Sequence, residues 1–227
     1  MAGGHRGLLA TIIGTFLALS GTTLIVVAMA SQRHAPQPPA SAAGSITSPS
    51  TSLGPSPSAS DTSPTSSAAP PMVLSRSNPV TIDIPAIGVH SSLVYLGLNA
   101  DRTVQVPSGT SYNEAGWYKY SPTPGSLGPA VILGHVDSGA LGPSVFFKLG
   151  DLRPGNRVMV TRRDASVAVF EITGVRHYPK AHFPTQLVYG NTDNAALRLI
   201  TCGGAFNFST GHYVDNIIVF ASLVGSH

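Results

Sequence analysis

Charged residues are scarce in this sequence, and their scarcity limits the partners that it can have. Lys and Arg together number 13 and Asp and Glu number 10 among 227 residues, so the formal net charge is +3. So dilute a charge does not form the basic surface that a nucleic acid requires. The sequence also lacks a P-loop and Cys/His pairs at zinc spacing. We therefore predict no nucleic-acid partner, no cofactor and no bound metal.

Cysteine is almost absent, because Cys202 is the only one in the chain. A single cysteine excludes an intrachain disulfide, and it can be either a small buried apolar residue or a reactive thiol. The flanking residues favour the second interpretation. Leu199-Ile200-Thr201 is typical of the end of a strand, and Gly203-Gly204 follows at once with little side-chain cover. Cys202 is therefore a candidate nucleophile.

Long apolar runs are missing except at the amino terminus. The uncharged stretch 8–30 has about 20 residues, enough to cross the hydrocarbon core of a membrane as a helix, and it leaves residues 1–7 as a short amino-terminal tail. A cleaved signal peptide is the alternative, because Ala28-Met29-Ala30 resembles a cleavage site. Arg6 and Arg33 flank the stretch on opposite sides, so the charges alone do not fix its orientation.

Large apolar side chains are also scarce in residues 31–75, which are rich in Ser, Pro, Ala and Thr. Such a composition predicts a disordered spacer that holds a domain away from the membrane. The remaining residues, 76–227, make a stretch of about 150 residues, the usual size of one domain with a single core. The chemistry of the protein should therefore lie in 76–227.

Helical periodicity is weak in that domain, and the pattern is typical of a mostly β fold. Short apolar or alternating runs separated by Gly, Pro, Asn and Asp clusters predict strands at Val80–Ile84, Val131–Leu133, Arg157–Thr161, Val167–Ile172, Leu197–Thr201 and Ile217–Leu223. Val145–Leu149 could form a short helix or turn. Closing the sheet into a barrel would remove its exposed edges.

A cysteine nucleophile needs a proton-transfer partner, and histidine is the natural one. His135 follows the buried-type strand Ala130–Leu133 and is therefore presented at a strand end. His212 is the rival, since it lies in a predicted loop ten residues after Cys202. Periodicity does not decide between the two.

These residues together resemble the sortase family, and in detail its class F branch. The resemblance rests on four segments in order: Ile82–Val89, Leu133–Ser138, Leu199–Gly204, and Phe206 with Thr210–Tyr213 and Asp215–Asn216. It implies a single closed eight-stranded sortase-type β-barrel with short helices or turns. It also implies an amino-terminal membrane anchor and a catalytic domain on the outer side of the cell membrane, which makes residues 1–7 cytoplasmic.

The sequence departs from the family at one position of the site. Sortases have an arginine after the cysteine, whereas here no Lys or Arg follows Cys202. Period-two alternation puts Arg198 on the same strand face as Cys202, about 13 Å away along the strand. Arg198 is thus one candidate replacement, although it could equally be a solvated strand charge. Asn216 is the second candidate, as an amide donor or simply as the residue that enters the last strand.

The resemblance implies a cysteine transpeptidase that cleaves a Leu-Pro-x-Thr-Gly-like carboxy-terminal sorting signal of secreted proteins. Cys202 would form a thioacyl intermediate, His135 would transfer protons, and the acceptor would be an amine of a cell-wall precursor or surface protein. Two alternatives remain. A cell-wall L,D-transpeptidase would have a Ser-His-Gly-Cys run where this chain has Thr201-Cys202-Gly203-Gly204. A non-catalytic wall-binding or assembly module on a degenerate sortase barrel would explain the missing arginine.

Overall fold

The computed structural model describes residues 34–44 and 71–227 of the chain. Its ten strands in these ranges are β1 Pro79–Ile84, β2 Val89–Leu96, β3 Ala115–Tyr118, β4 Gly128–Leu133, β5 Asp137–Ser138, β6 Gly142–Pro143, β7 Arg157–Arg162, β8 Val167–Pro179, β9 Ala195–Asn207 and β10 His212–Ser226. The α-helix α1 spans Thr185–Tyr189, and short 3-10 turns occur at Ala40–Ala43, Pro85–Ile87, Gly109–Ser111, Leu149–Asp151 and Lys180–His182.

Eight of the strands form a closed barrel in the order β1-β2-β3-β4-β9-β10-β8-β7, and β7 pairs with β1 to complete the circle. The pairs β2/β3 and β4/β9 are parallel, whereas the other pairs are antiparallel. Strands β5 and β6 form a separate two-stranded sheet. The mostly β class and the closed eight-stranded barrel are therefore confirmed.

Alternation of side chains fills the barrel interior. In β7 every second residue is buried, as expected of a strand with one face on the core. Strand β9 is buried on both faces, because Leu197 and Leu199 belong to the interior cluster while Ile200 belongs to a second cluster outside the barrel. Val188 of α1 packs in this second cluster. The helix therefore covers the outer face of β9, which is the face that carries Cys202.

All six predicted strands are present, and each extends beyond its predicted bounds. The sequence pattern did not predict β2 and β3, which occupy two neighbouring places in the barrel. Val145–Leu149 forms a turn that leads into the 3-10 turn at Leu149–Asp151. The helix α1 was not predicted either, because five residues are too few to establish a helical period.

Residues 35–44 pack against the barrel, and we call them the amino-terminal strap. Ala42 is fully buried, and the carbonyls of Ala43 and Gly44 accept hydrogen bonds from Arg176 of β8 at 3.0 and 3.1 Å. The side-chain oxygen of Gln37 accepts a hydrogen bond from the amide of Gly204 at 3.0 Å. This segment was expected to belong to an unpacked spacer. Small side chains and free backbone carbonyls are enough to hold it, a feature that composition does not reveal.

The predicted membrane-spanning stretch 8–30 lies outside the described residues, as do the amino-terminal tail 1–7 and most of the spacer 31–75. Within residues 34–44 and 71–227, no helix combines the length and the hydropathy needed to cross a membrane.

We predict that Ala42→Asp releases the strap without unfolding the barrel. A lone carboxylate does not stay in a buried contact, because its burial costs several kcal/mol. Losing the strap should remove about 2 kcal/mol of stability and lower the Tm by about 5 °C in a domain of this size. Limited proteolysis of the full-length protein should then cut within 35–44.

Ala40→Asp is the matched control, because Ala40 is exposed in the same 3-10 turn. It should leave both the Tm and the cleavage pattern as in the parent protein. Equal effects of the two substitutions would show that the strap is not held by the burial of Ala42.

Candidate active site

The parallel pairing of β4 with β9 brings the two candidate catalytic residues to one edge of the barrel. Leu133 is the register partner of Ile200, and the amide of Gly134 donates to the carbonyl of Ile200 at 3.1 Å. Both strands run in the same direction, and His135 and Cys202 each lie two residues beyond this last register pair. The sequence predicted each of them at a strand end; His135 does follow β4, but Cys202 lies within β9, which continues to Asn207.

On its other side Cys202 pairs with Asn216 of β10, and Asn216 pairs in turn with Tyr178 of β8. Side chains of directly paired residues point to the same face, with Cβ atoms about 5 Å apart. Asn216, which the sequence proposed as an amide donor, is therefore a side-by-side neighbour of the half-buried Cys202.

A bulge follows Cys202. The register of β9 with β10 shifts between the pair Cys202–Asn216 and the pair at Tyr213, and Gly204 has a φ of +74°. A Cβ atom on Gly204 would lie 2.4 Å from a carboxylate oxygen of Asp215, so only glycine fits there. The bulge bends the hairpin just beyond the thiol, as bulges near active sites commonly do.

The imidazole of His135 is held between two groups. Its Nε2 atom lies 2.8 Å from the carbonyl oxygen of Pro107, which can only accept, so Nε2 carries a proton. In the neutral ring Nδ1 is then the basic nitrogen. The ring of Tyr112 stacks on the imidazole with a centroid distance of 4.0 Å and an interplanar angle of 4°. These contacts fix the plane of the ring and the nitrogen that can accept a proton.

Asp137, two residues after His135, is hydrogen-bonded to Tyr213 of β10 and to Tyr112 before β3. Its carboxylate accepts a hydrogen bond from the hydroxyl of Tyr213 at 2.6 Å, and its backbone carbonyl accepts one from Tyr112 at 2.9 Å. Burial raises the pKa of Tyr213, and the hydrogen bond to Asp137 and the charges of Asp137 and Cys202 raise it further. Burial, followed by the same two charges, also raises the pKa of Tyr112. Both hydroxyls therefore stay protonated and act as donors.

A lysine also reaches the thiol. Nζ of Lys180 donates to Sγ of Cys202 at 3.5 Å from the 3-10 turn that follows β8. Reasoning from the sequence missed Lys180, Asp137 and the two tyrosines as site residues. Their approach depends on pairings between distant strands, and no local pattern indicates it.

Arg198 lies on the same face as Cys202, as alternation predicted, but its guanidinium is used elsewhere. It is 5% exposed, and it donates to the carbonyl of Leu197 at 3.1 Å and to that of Leu187 in α1 at 3.5 Å. Its guanidinium carbon lies 4.8 Å from the ring centroid of Phe220. Burial lowers the pKa of Arg198 to about 10, so the side chain remains charged at neutral pH. Its contacts brace α1 against β9.

His212, the rival of His135, lies at the tip of the β9/β10 hairpin. It is exposed and pairs with Asn207, which is five residues beyond Cys202 along β9. The strand rise separates these two positions by about 16 Å. His212 is therefore distant from the thiol along the hairpin, whereas His135 follows β4, the strand that pairs with β9 up to Ile200.

A cavity of about 510 Å³ opens on the outer face of the barrel that carries Cys202. Val131 of β4 lies in its wall, and Val131 is the register partner of Arg198. Apolar and aromatic side chains form part of the wall, among them Leu98, Val104, Tyr118, Tyr120 and Tyr189. Polar side chains also line it, namely Arg102, Ser121, Thr185 and Asn191. Within the described ranges, no three His, Cys, Asp or Glu residues are grouped as metal ligands.

Cysteine and histidine, the pair of residue types that acyl transfer through a thiol uses, thus lie at the edge of the barrel where β4 ends beside β9. Residues 82–224 match the Sortase domain family, so the chain belongs to the sortase family. Members of this family are cysteine transpeptidases that act on surface proteins bearing sorting signals and on amine acceptors.

Several solved sortase structures are similar to this chain. Sortase A from Corynebacterium diphtheriae has 19% identity and a TM-score of 0.50, over 66% of this chain and 62% of that one. A Clostridium perfringens sortase D5 transpeptidase has 25% identity and a TM-score of 0.48, over 65% and 79%. Sortase E1 from Streptomyces coelicolor, with a tripeptide in its active site, has 16% identity and a TM-score of 0.49, over 66% of this chain and 90% of that one. No curated protein matches the chain.

We predict that Tyr213→Phe removes the hydrogen bond between β10 and Asp137 and changes the stability of the protein at alkaline pH. A raised phenol pKa means that the folded state prefers the protonated hydroxyl. This contribution is fully present below the ordinary tyrosine pKa of about 10 and is lost as the pH rises above it. Tyr213→Phe should cost about 1–2 kcal/mol at pH 7 and show a shallower loss of stability above pH 10.

Urea unfolding at a series of pH values measures both effects. Tyr120→Phe is the control, since Tyr120 is 65% exposed. If Tyr213→Phe matched the parent at pH 7, the hydrogen bond to Asp137 would not contribute to the fold.

We predict that Arg198 stabilises the packing of α1 on β9 and does not contact the substrate. Arg198→Ala should lose about 3 kcal/mol, because it leaves a cavity and an unpaired carbonyl under α1. Arg198→Met keeps the volume and removes the buried charge, a change that is often close to neutral. It should stay folded and keep turnover within a few-fold of the parent. A loss of about a hundredfold in a stable Arg198→Met protein would instead make Arg198 an oxyanion donor.

Proposed function

We propose that this chain is a sortase transpeptidase of class F. It cleaves a Leu-Pro-x-Thr-Gly-like sorting signal and transfers the acyl group of the cleaved protein to an amine. One observation carries the proposal. In a chain of the sortase family, the only cysteine and a histidine each follow the last register pair of β4 and β9 by two residues, and Pro107 and Tyr112 fix the histidine ring. A nucleophile and a positioned proton-transfer group are the minimum that acyl transfer through a thiol requires.

The cavity beside α1 supports a peptide substrate with an apolar end. It meets β4 at Val131, which is level with Arg198, and Arg198 is four residues before Cys202 on β9. Four residues of extended chain cover about 13 Å. A Leu-Pro-x-Thr segment in extended form therefore has the length to place its leucine against Val131 and the other apolar residues of the cavity, with its threonine carbonyl at the thiol.

The reaction divides into two acyl transfers. The Cys202 thiolate attacks the threonine carbonyl, a sulfur–carbon bond forms, and the carbonyl electron pair moves to oxygen. When that intermediate collapses, the carbon–nitrogen bond breaks and the departing amine takes a proton from the His135 imidazolium. The incoming amine then attacks the thioester, gives a proton to neutral His135 and releases the thiolate. Asn216, the strand partner of Cys202, donates to the oxyanion in this proposal.

The same proposal covers the partners and the location. The substrates are secreted proteins with a carboxy-terminal sorting signal, and the acceptor is an amine of a cell-wall precursor or of another surface protein. The apolar stretch 8–30 anchors the chain as a single membrane span, with residues 1–7 in the cytoplasm and the barrel outside. These parts rest on the motifs of the sequence and on the resemblance that they carry.

We predict that Cys202→Ala abolishes both cleavage of a fluorogenic sorting peptide and formation of the acyl-enzyme. His135→Ala should lower kcat/KM by at least about a hundredfold, the contribution of a general acid–base group. Turnover is measured by fluorescence and the acyl-enzyme by mass spectrometry of the intact protein, with circular dichroism to verify folding.

His212→Ala is the control, because it removes an exposed imidazole from the tip of the hairpin. It should retain turnover within about twofold. An active Cys202→Ala protein would contradict the proposal. If the folded parent cleaves no sorting peptide and forms no adduct, a non-catalytic sortase-fold module becomes the better description.

A further inference from the structure

Lys180 occupies a position that the sequence does not suggest. It directly follows β8, which is separated from β9 by β10. Tyr178 pairs with Asn216, and Asn216 pairs with Cys202, so the three residues form one row across the three strands. From the end of this row the Lys180 side chain extends back over β10 to the thiol, where Nζ lies 3.5 Å from Sγ.

The positive charge of Lys180 is the one that the described structure brings to the Cys202 sulfur. No Lys or Arg follows Cys202 in the sequence, and the guanidinium of Arg198 is bonded to two backbone carbonyls. In residues 34–44 and 71–227 the ion pairs are His90–Asp83 and Arg162–Asp164, so no carboxylate there neutralises Lys180. Its ammonium is thus available to an anion at the sulfur or next to it.

We propose that Lys180 is the cationic catalytic residue of this site and fills the role left open by the missing arginine. The inference rests on the proposed transpeptidase function. In the free enzyme the ammonium faces the thiolate. In the tetrahedral adduct the negative charge has moved to an oxygen two bonds from the sulfur, within reach of the same ammonium. One group can therefore stabilise the anion before and after the attack.

The proton balance does not change with this assignment. Lys180 keeps its three protons throughout and donates hydrogen bonds only, while His135 carries the proton that moves to the leaving amine and returns from the incoming amine. The ammonium is a compact charge on a flexible stem, so it can follow the charge from sulfur to oxygen. Water screens the exposed side chain in the free enzyme, and a bound peptide would displace that water and strengthen the interaction.

The interaction with the thiolate can be measured without any substrate. Because Cys202 is the only cysteine, carbamidomethylation by iodoacetamide, followed by intact mass, reports on this thiol alone. At pH 7 and low salt, Lys180→Ala should react about fivefold more slowly than the parent, the effect of one charge about 4 Å away in water. Lys180→Arg should react within about twofold of the parent. Lys148→Ala removes another exposed lysine, one that makes no hydrogen bond to the thiol in the described residues, and serves as the control.

The catalytic role needs the peptide assay. Lys180→Ala should lower kcat by about a hundredfold with little change in KM, because the interaction is made mainly in the transition state. Lys180→Arg should restore most of the loss, and Lys148→Ala should match the parent.

Two failures are distinguishable. If the parent cleaves the peptide and Lys180→Ala cleaves it at the same rate, the assignment of Lys180 is wrong while the transpeptidase function stands. If the folded parent neither cleaves a sorting peptide nor forms an acyl-enzyme, the transpeptidase function fails and the catalytic role of Lys180 fails with it. In that case the alkylation rates report only whether Lys180 and the thiolate are in contact.

Discussion

The parallel pairing of β4 with β9 is the constraint on which the candidate site depends. β4 ends opposite Ile200 in the middle of β9, so the register decides which residues of β9 lie beside the loop that carries His135. A slip of one residue would turn Cys202 into the barrel interior, because successive side chains of a strand point to opposite faces. The apolar side chains of Leu197 and Leu199 oppose such a slip, since it would expose them outside the barrel.

Strands with a strong apolar pattern could be predicted from the sequence, and those with a mixed pattern could not. β9 and β10 contain apolar runs that are typical of buried strands. By contrast, β2 mixes polar and apolar residues in the sequence Val-His-Ser-Ser-Leu-Val-Tyr-Leu, and β3 has only four residues. Both obtain their stability from neighbours: β2 pairs with β1 and β3, and Trp117 of β3 is 1% exposed in the core. Long-range pairing of this kind leaves little trace in a local window.

The same distinction applies to the site. Cys202 and His135 are visible in the sequence because each follows an apolar strand and is flanked by glycine. Lys180 is not visible, since its approach to the thiol crosses a third strand. Arg198 shows the converse limit of pattern reasoning. Alternation gives its face correctly, but only the position of α1 reveals that the guanidinium is enclosed by backbone carbonyls.

The amino-terminal strap changes the topological role of the Ser/Pro-rich stretch. The chain lies on the barrel up to Gly44, where Arg176 binds it, and is on the barrel again at Leu74, whose amide donates to Gly125 at 2.7 Å. The covalent chain therefore leaves the barrel surface at Gly44 and is on the same surface again at Leu74. An insertion between these two points would leave the strap in its place, because Gly44 and Leu74 are each held by their own hydrogen bonds.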